Sequence, residues 1–196
     1  MPSVLLVLIA ALAAGYLTGG RLSGVPRMGV RLAALAAIGF GLQLLPLTGL
    51  DITVSLILLW VSFGALVLFA LVNLRLPGFL LLLLGVLLNL SVISVNDGMP
   101  ISGEALVAAG DQAQIALLKA GWGGVKYHLA DPDDQLMPLA DVIVLPLPVG
   151  EVVSIGDLVI DAGLGWFLFA AMGSRAGRRP AAGVRARDRP ARSRGA

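Results

Sequence analysis

The chain has no cysteine and a single histidine, His128, among its 196 residues. Disulfides and thiolate metal sites are therefore excluded, and one imidazole is too little for a zinc centre. Lysine is nearly absent, with Lys119 and Lys126 the only two. Charge of any sign is scarce: 13% of residues are charged, about half the roughly 25% usual in soluble domains. What fills the chain is apolar, with 58% hydrophobic residues and a mean hydropathy of +0.93. A soluble fold of this length has too small an interior for that much apolar surface, so the bilayer is its natural solvent. The net charge of +2 says little, because it averages a basic tail with an acidic loop. The excess of arginine over lysine, with abundant Ala, Gly, Leu and Val, suggests a GC-rich bacterial genome.

The few charges are sorted by position. The arginines fall between Arg21 and Arg31, at Arg75, and between Arg175 and Arg194; both lysines, His128 and most acids lie in residues 96–153. A spanning helix needs about 20 mostly apolar residues. Five stretches fit, at residues 2–18, 28–47, 52–74, 77–95 and 154–173. They predict an all-α membrane protein: a five-transmembrane-helix bundle with a 58-residue outer loop, 96–153, and a disordered Arg-rich tail, 174–196. The first stretch lacks the basic residues that open a signal peptide and reads as a retained helix. The positive-inside rule then sets the N-terminus outside and the C-terminus in the cytoplasm of a bacterial cytoplasmic membrane. Small residues Ala11, Gly15 and Gly19 in helix 1, and Ala33, Ala37 and Gly41 in helix 2, suggest that these two pack as a tight hairpin, or else form a homodimer seam.

The loop is expected to hold a short helix over Ser102–Gly121, capped by Ser102 and weakened at Gly110. After Asp131-Pro132-Asp133-Asp134, a turn sequence, Leu136–Pro148 carries three prolines and reads as an extended, interfacial or re-entrant segment. Ser154 and Asp157 match a capping box at the start of the last helix.

Asn89, Asn96-x-Gly98-Met99-Pro100, His128-Leu129-Ala130-Asp131, Leu136-x-Pro138-Leu139-x-Asp141-Val142-Ile143, Pro146 and Ser154-x-Gly156-Asp157 form a pattern. It resembles an uncharacterised family of small bacterial integral membrane proteins, a domain of unknown function, over about residues 1–173. That family commonly has glycine where this chain has Asp97. The resemblance brings no catalytic roles with it.

Few residues carry chemistry. Asn89 lies about 18 Å along its helix from Pro77, where a polar side chain should face the bundle, as an interhelical hydrogen bond or a contact to a solute or headgroup. Asn96 follows two turns on, next to Met99. Asp161 lies one turn beyond Asp157 without a cation in its helix; such acids mark ion or proton paths, or reach interfacial water, and Gln43 is a possible partner. His128 with Asp131 is the nearest thing to an acid–base pair, and Asp133, Asp134 and Asp141 could join as cation ligands, although a solvated acidic turn is the default. No catalytic or cofactor motif appears, and no metal site or cofactor is assigned. The expected partners are the bilayer itself, with anionic headgroups at the arginine tail, and a membrane or envelope protein; nucleic acid is disfavoured. Three functions remain open. The chain could be an accessory, sensor or interaction protein whose outer loop contacts a partner, lipid or envelope component. It could be a small binder or transporter of a lipid or solute. It could also be a headgroup-level membrane enzyme.

Overall fold

The computed structural model describes residues 2–45 and 49–173; the arginine tail lies outside the described residues. Helix α1 (Pro2–Leu17) bends by 108° into a 3-10 turn at Leu22–Met28. Gly19 at the bend has φ 79°, which other residues rarely adopt. α2 covers Ala33–Leu44, α3 Ile52–Val72, α4 Phe79–Asn96 and α7 Ile155–Gly173. Asp51 caps α3, its Oδ1 accepting from Thr53 N and Val54 N.

Three helices, α3, α4 and α7, are long and apolar enough to cross a membrane, and α1 with its 3-10 turn makes a fourth if the bent pair is one broken span. α2 is shorter than expected. Gly29 and Leu32 take left-handed backbone conformations, so the helix expected from Met28 starts only at Ala33. Its 12 residues extend about 18 Å, well short of a 30 Å hydrocarbon core.

The helices pack in the order α1, α7, α4, α3, α2. The expected α1–α2 hairpin is therefore overturned: among the described residues these two do not form a packed pair. The small residues serve other neighbours. Gly15 lies against Met172 of α7, Gly39 of α2 lies against Leu66 of α3, and a Cβ at Gly19 or Gly41 would meet no neighbour within 4 Å. A small-residue ridge announces a close neighbour but does not say which.

The closest crossing joins α4 to α7. Gly78 meets Gly163, and two turns further along, Gly85 meets Gly156; a Cβ at any of the four would collide with the opposite backbone. Each chain traverse runs between the same two ends. At one end Ser3 N donates to Glu151 and Lys126 reaches the end of α2. At the other, Arg21 N donates to Met172 O (3.0 Å), while Asn73 holds the Arg31 backbone through Arg31 N to Asn73 Oδ1 and Asn73 Nδ2 to Arg31 O, both 2.8 Å.

Residues 97–153 form a cap on the first of these ends, and its structure departs from one helix plus one extended segment. The helix expected over Ser102–Gly121 is broken into α5 (Gly103–Ala109) and α6 (Gln112–Lys119). Gly110, with φ 82°, ends the first, and Asp111 caps the second by accepting from Gln114 N. Strand β1 (Met99–Ile101) pairs in parallel with β2 (Tyr127–Leu129), and on its other side bridges to Asp141. Within the proline-rich stretch, a 3-10 turn at Met137–Leu139 precedes β3 (Ile143–Leu145), which forms an antiparallel hairpin with β4 (Glu151–Val153). Four short strands thus qualify the all-α expectation. Asp97, at the position where a second glycine was expected, takes φ 53°, the left-handed conformation that glycine would adopt freely. The buried core gathers where cap and bundle meet: Leu59, Phe63 and Leu66 of α3, Val86, Val92 and Ile93 of α4, and Met99 and Ala140 of the cap.

Candidate functional site

Beneath the cap, a cavity of about 460 Å³ opens among the helices. That size suits a small-molecule site. α1 and α2, the two ends of the helix row, both reach it, through Ser3 and Val4 and through Phe40 and Gln43. Its deep side is apolar, formed by Leu59, Phe63 and Leu66 of α3, Val86 of α4 and Ile160 of α7. Leu66 lies roughly 21 Å down α3 from Ile52, so the cavity penetrates well into the bundle. Its cap side is polar and acidic, with Asp141, Glu151, Asp157, Asp161, Tyr127 and Lys126.

The polar wall is built from side chains held by the packing described above. Ser154 and Asp157 form the reciprocal capping box of α7: Asp157 N donates to Ser154 Oγ (2.9 Å) and Ser154 N to Asp157 Oδ2 (3.1 Å). The glycine crossing lets Asn89 of α4 join them. Its Nδ2 donates to Asp157 Oδ1 (2.7 Å), and its Oδ1 accepts from Ser154 Oγ (2.9 Å). Glu151 Oε2 accepts from Ser3 N (2.9 Å), placing a carboxylate at the positive end of the α1 dipole. Asp161, 4% exposed, is hydrogen-bonded by Ser3. The ammonium of Lys126 is turned away to the C-terminal carbonyls of α2, donating to Gln43 O (2.6 Å) and Leu45 O (2.8 Å), a favourable place for a cation.

Asp141 differs from these. Its backbone is committed on both sides, Asp141 N donating to Pro100 O (3.1 Å) and Ser102 N donating to Asp141 O (3.0 Å). The residue is 6% exposed and lines the cavity, and its buried Oδ1 has no hydrogen-bond partner. Burial, with Asp157 and Glu151 nearby, pushes its pKa up to about 8. The Tyr127 phenol is pushed up to about 12 by desolvation and by Asp141, Asp157 and Glu151, although the residue as a whole keeps part of its surface open. Burial lowers the pKa of Lys126.

A family model described as a family of unknown function, DUF5317, matches residues 27–169. The chain belongs to the DUF5317 family. The match runs from the end of the 3-10 turn to near the end of α7 and leaves out α1. No curated protein and no solved structure matches the chain.

In this DUF5317 chain the residues singled out in the sequence divide into two groups. Asn89, Met99, Asp141 and Asp161 line the cavity, as do Gln43 and the capping residue Asp157. Ser154 stands behind them, fully buried. Asn96 belongs to the cap instead: its Nδ2 donates to Gln135 O (2.8 Å) and its Oδ1 accepts from Gln135 N (2.7 Å). His128 does not pair with Asp131. Its Nε2 lies 3.0 Å from Asp134 Oδ1, while Asp131 Oδ1 accepts from Asp133 N (2.9 Å) in a local turn. Because β1 stands between β2 and Asp141, the three acid–base candidates are split, and His128 and Asp131 lie outside the cavity lining. Among the described residues no group of three or more His, Asp or Glu gathers closely enough to hold a metal ion.

Sequence reasoning missed Lys126, Tyr127, Glu151 and Ser3 as site residues. Lys126 carried a usable signal, as one of two lysines, both placed away from the arginines. Ser3 and Glu151 meet only because α1 begins beneath the β3–β4 hairpin, which local pattern does not reveal.

Proposed function

We propose that this DUF5317 protein binds an amphiphilic lipid or solute in the cavity beneath the cap, as a small membrane binder or transporter. The observation that carries this reading is the cavity itself, with one apolar side and one polar side reaching deep between the helices. Interiors are close-packed, and an empty apolar void is costly. Water suits only the polar side, because it needs two to four polar partners. An amphiphile satisfies both. α1 and α2 flank the cavity without packing on each other, which provides a route for such a molecule to enter sideways from the bilayer.

In this reading the chain is a multi-pass protein of the bacterial cytoplasmic membrane with five traverses. Its N-terminus and cap lie outside, and its C-terminus lies in the cytoplasm. Two observations support that topology. Arg21, Arg31 and Arg75 gather at the end opposite the cap, and five helices run alternately between the two ends. α1 and α2 make up for their short lengths by bending and by local thinning of the bilayer. The chain is naturally free of cysteine, so Asp133→Cys and Arg185→Cys report the topology directly. A membrane-impermeant maleimide applied to intact cells is expected to label position 133 alone; labelling of position 185 from outside contradicts the orientation.

Binding is tested by native mass spectrometry of the protein released from nanodiscs carrying octylamine or octanol. A one-to-one adduct is expected with the wild type, and its loss when Leu59→Phe and Val86→Phe together fill the apolar side. Adducts of variable stoichiometry, equal in the filled variant, would mean that the molecules merely coat the lipid-facing surface.

A further inference from the structure

We propose that the cavity selects organic cations: an amphiphilic amine whose ammonium donates to Asp141 Oδ1 and whose apolar body lies against Leu59, Phe63 and Val86. This inference rests on the reading of the cavity as a ligand site and adds the chemical class of the ligand.

The carboxylates of the cavity are not equivalent. Asp157 spends both oxygens on Asn89 and Ser154, and Glu151 and Asp161 are engaged by Ser3. Asp111 is occupied in capping α6. Asp141 Oδ1 is buried and unpartnered. A buried acceptor without a donor costs free energy, so this atom marks where a ligand donor belongs.

The surrounding charge decides what kind of donor. Asp111, Glu151, Asp157 and Asp161 line the same cavity, and Lys126, the one cation among its described lining residues, donates from its ammonium to the α2 carbonyls. A neutral N–H or O–H could satisfy Oδ1, but it would leave the negative field of that wall uncompensated. In a low-dielectric setting an ammonium gains from that field and an anion is repelled. Among the described residues no three acids gather as a metal ion's oxygen ligands would, and their spread beside an apolar wall favours a charge carried on an apolar body.

Charge balance adds a second signature. Burial, with Asp157 and Glu151 facing it, pushes the Asp141 pKa up to about 8 and so favours the protonated carboxyl at neutral pH, while Asp161, Asp111, Tyr127 and Lys126 complete the titratable lining. Binding of an ammonium converts that carboxyl to a carboxylate and releases its proton to solvent. Affinity for the amine therefore rises with pH up to about 8 and levels off above it, by roughly tenfold per pH unit at most.

The test uses the full chain in nanodiscs and isothermal titration with octylamine, octanol and octanoate, each corrected with empty nanodiscs. Octylamine is expected to bind roughly ten- to hundredfold more tightly than octanol, the range of one charge-assisted hydrogen bond, with octanoate weakest. Asp141→Asn is expected to abolish the advantage of octylamine over octanol and its pH dependence, with a helical circular dichroism spectrum and a cooperative thermal transition showing that the variant is folded. Equal affinity for octylamine and octanol in the wild type, or an unchanged octylamine affinity in Asp141→Asn, overturns the cation inference and leaves amphiphile binding standing. Failure of all three compounds to bind overturns both.

Discussion

Backbone hydrogen bonds to Pro100 and Ser102 fix Asp141 beside β1, and the residue is buried there. The folded chain therefore keeps this carboxyl protonated up to about pH 8, whereas an unfolded chain releases the proton near 3.8. Between those values the folded state binds more protons than the unfolded one, so stability contributed by this group falls as pH rises through the window. The slope is at most about 1.4 kcal/mol per pH unit for one proton. Thermal unfolding in nanodiscs is expected to show the midpoint falling from pH 5 to pH 8 in the wild type, and much less in Asp141→Asn, which carries no proton to lose. Parallel curves for the two proteins would show that Asp141 titrates normally. Asn89 is a contrasting case. It is the buried polar residue that sequence reasoning picked out of α4, and every polar atom of its side chain has a partner in Ser154 or Asp157. Its contribution to the site is to hold Asp157 in place.

At the level of elements, the crossing of α4 and α7 sets the shape of the cavity. Gly85 and Gly156 bring the two backbones close enough for Asn89 to reach the α7 cap, and a Cβ at Gly156 would overlap Asn89 Oδ1. Gly156→Ala is expected to destabilise the fold by about 1–3 kcal/mol through overpacking, read as a lowered unfolding midpoint. Gly41→Ala on α2, where an added Cβ meets nothing within 4 Å, is the control, expected to be neutral or to stabilise by up to about 1 kcal/mol through helix propensity. Equal effects from the two would show that the crossing is looser than described. The three long helices were legible from their apolar runs, and the α7 cap was legible because Ser154 and Asp157 bond within one turn. The α4–α7 glycine pairing was not, because its partners lie on helices separated by the whole cap. α2 was misread at its start because apolar content persists through Gly29 and Leu32, where the backbone turns left-handed.

For the whole molecule, the arrangement is a row of helices under a cap, with a cavity shared by the bundle, the cap strands and both ends of the row. Sequence reasoning pointed to the cap and the adjoining ends of α4 and α7, and four of its candidates, Asn89, Met99, Asp141 and Asp161, do line the cavity. It could not anticipate the cavity's apolar side. Leu59, Phe63 and Val86 look in sequence like any other helix residues, and only the mutual packing of α3, α4 and α7 turns them inward. Nor could it tell that His128 belongs to Asp134. An amphiphile in this space can be seen directly in a crystal structure of the protein grown with 8-bromooctylamine, with the bromine located by anomalous scattering. The expected result is a bromine peak against Leu59, Phe63 and Val86 with the amine toward Asp141. Bromine found only along the lipid-facing surfaces of α2 and α3, with the cavity filled by protein side chains or water, would contradict it.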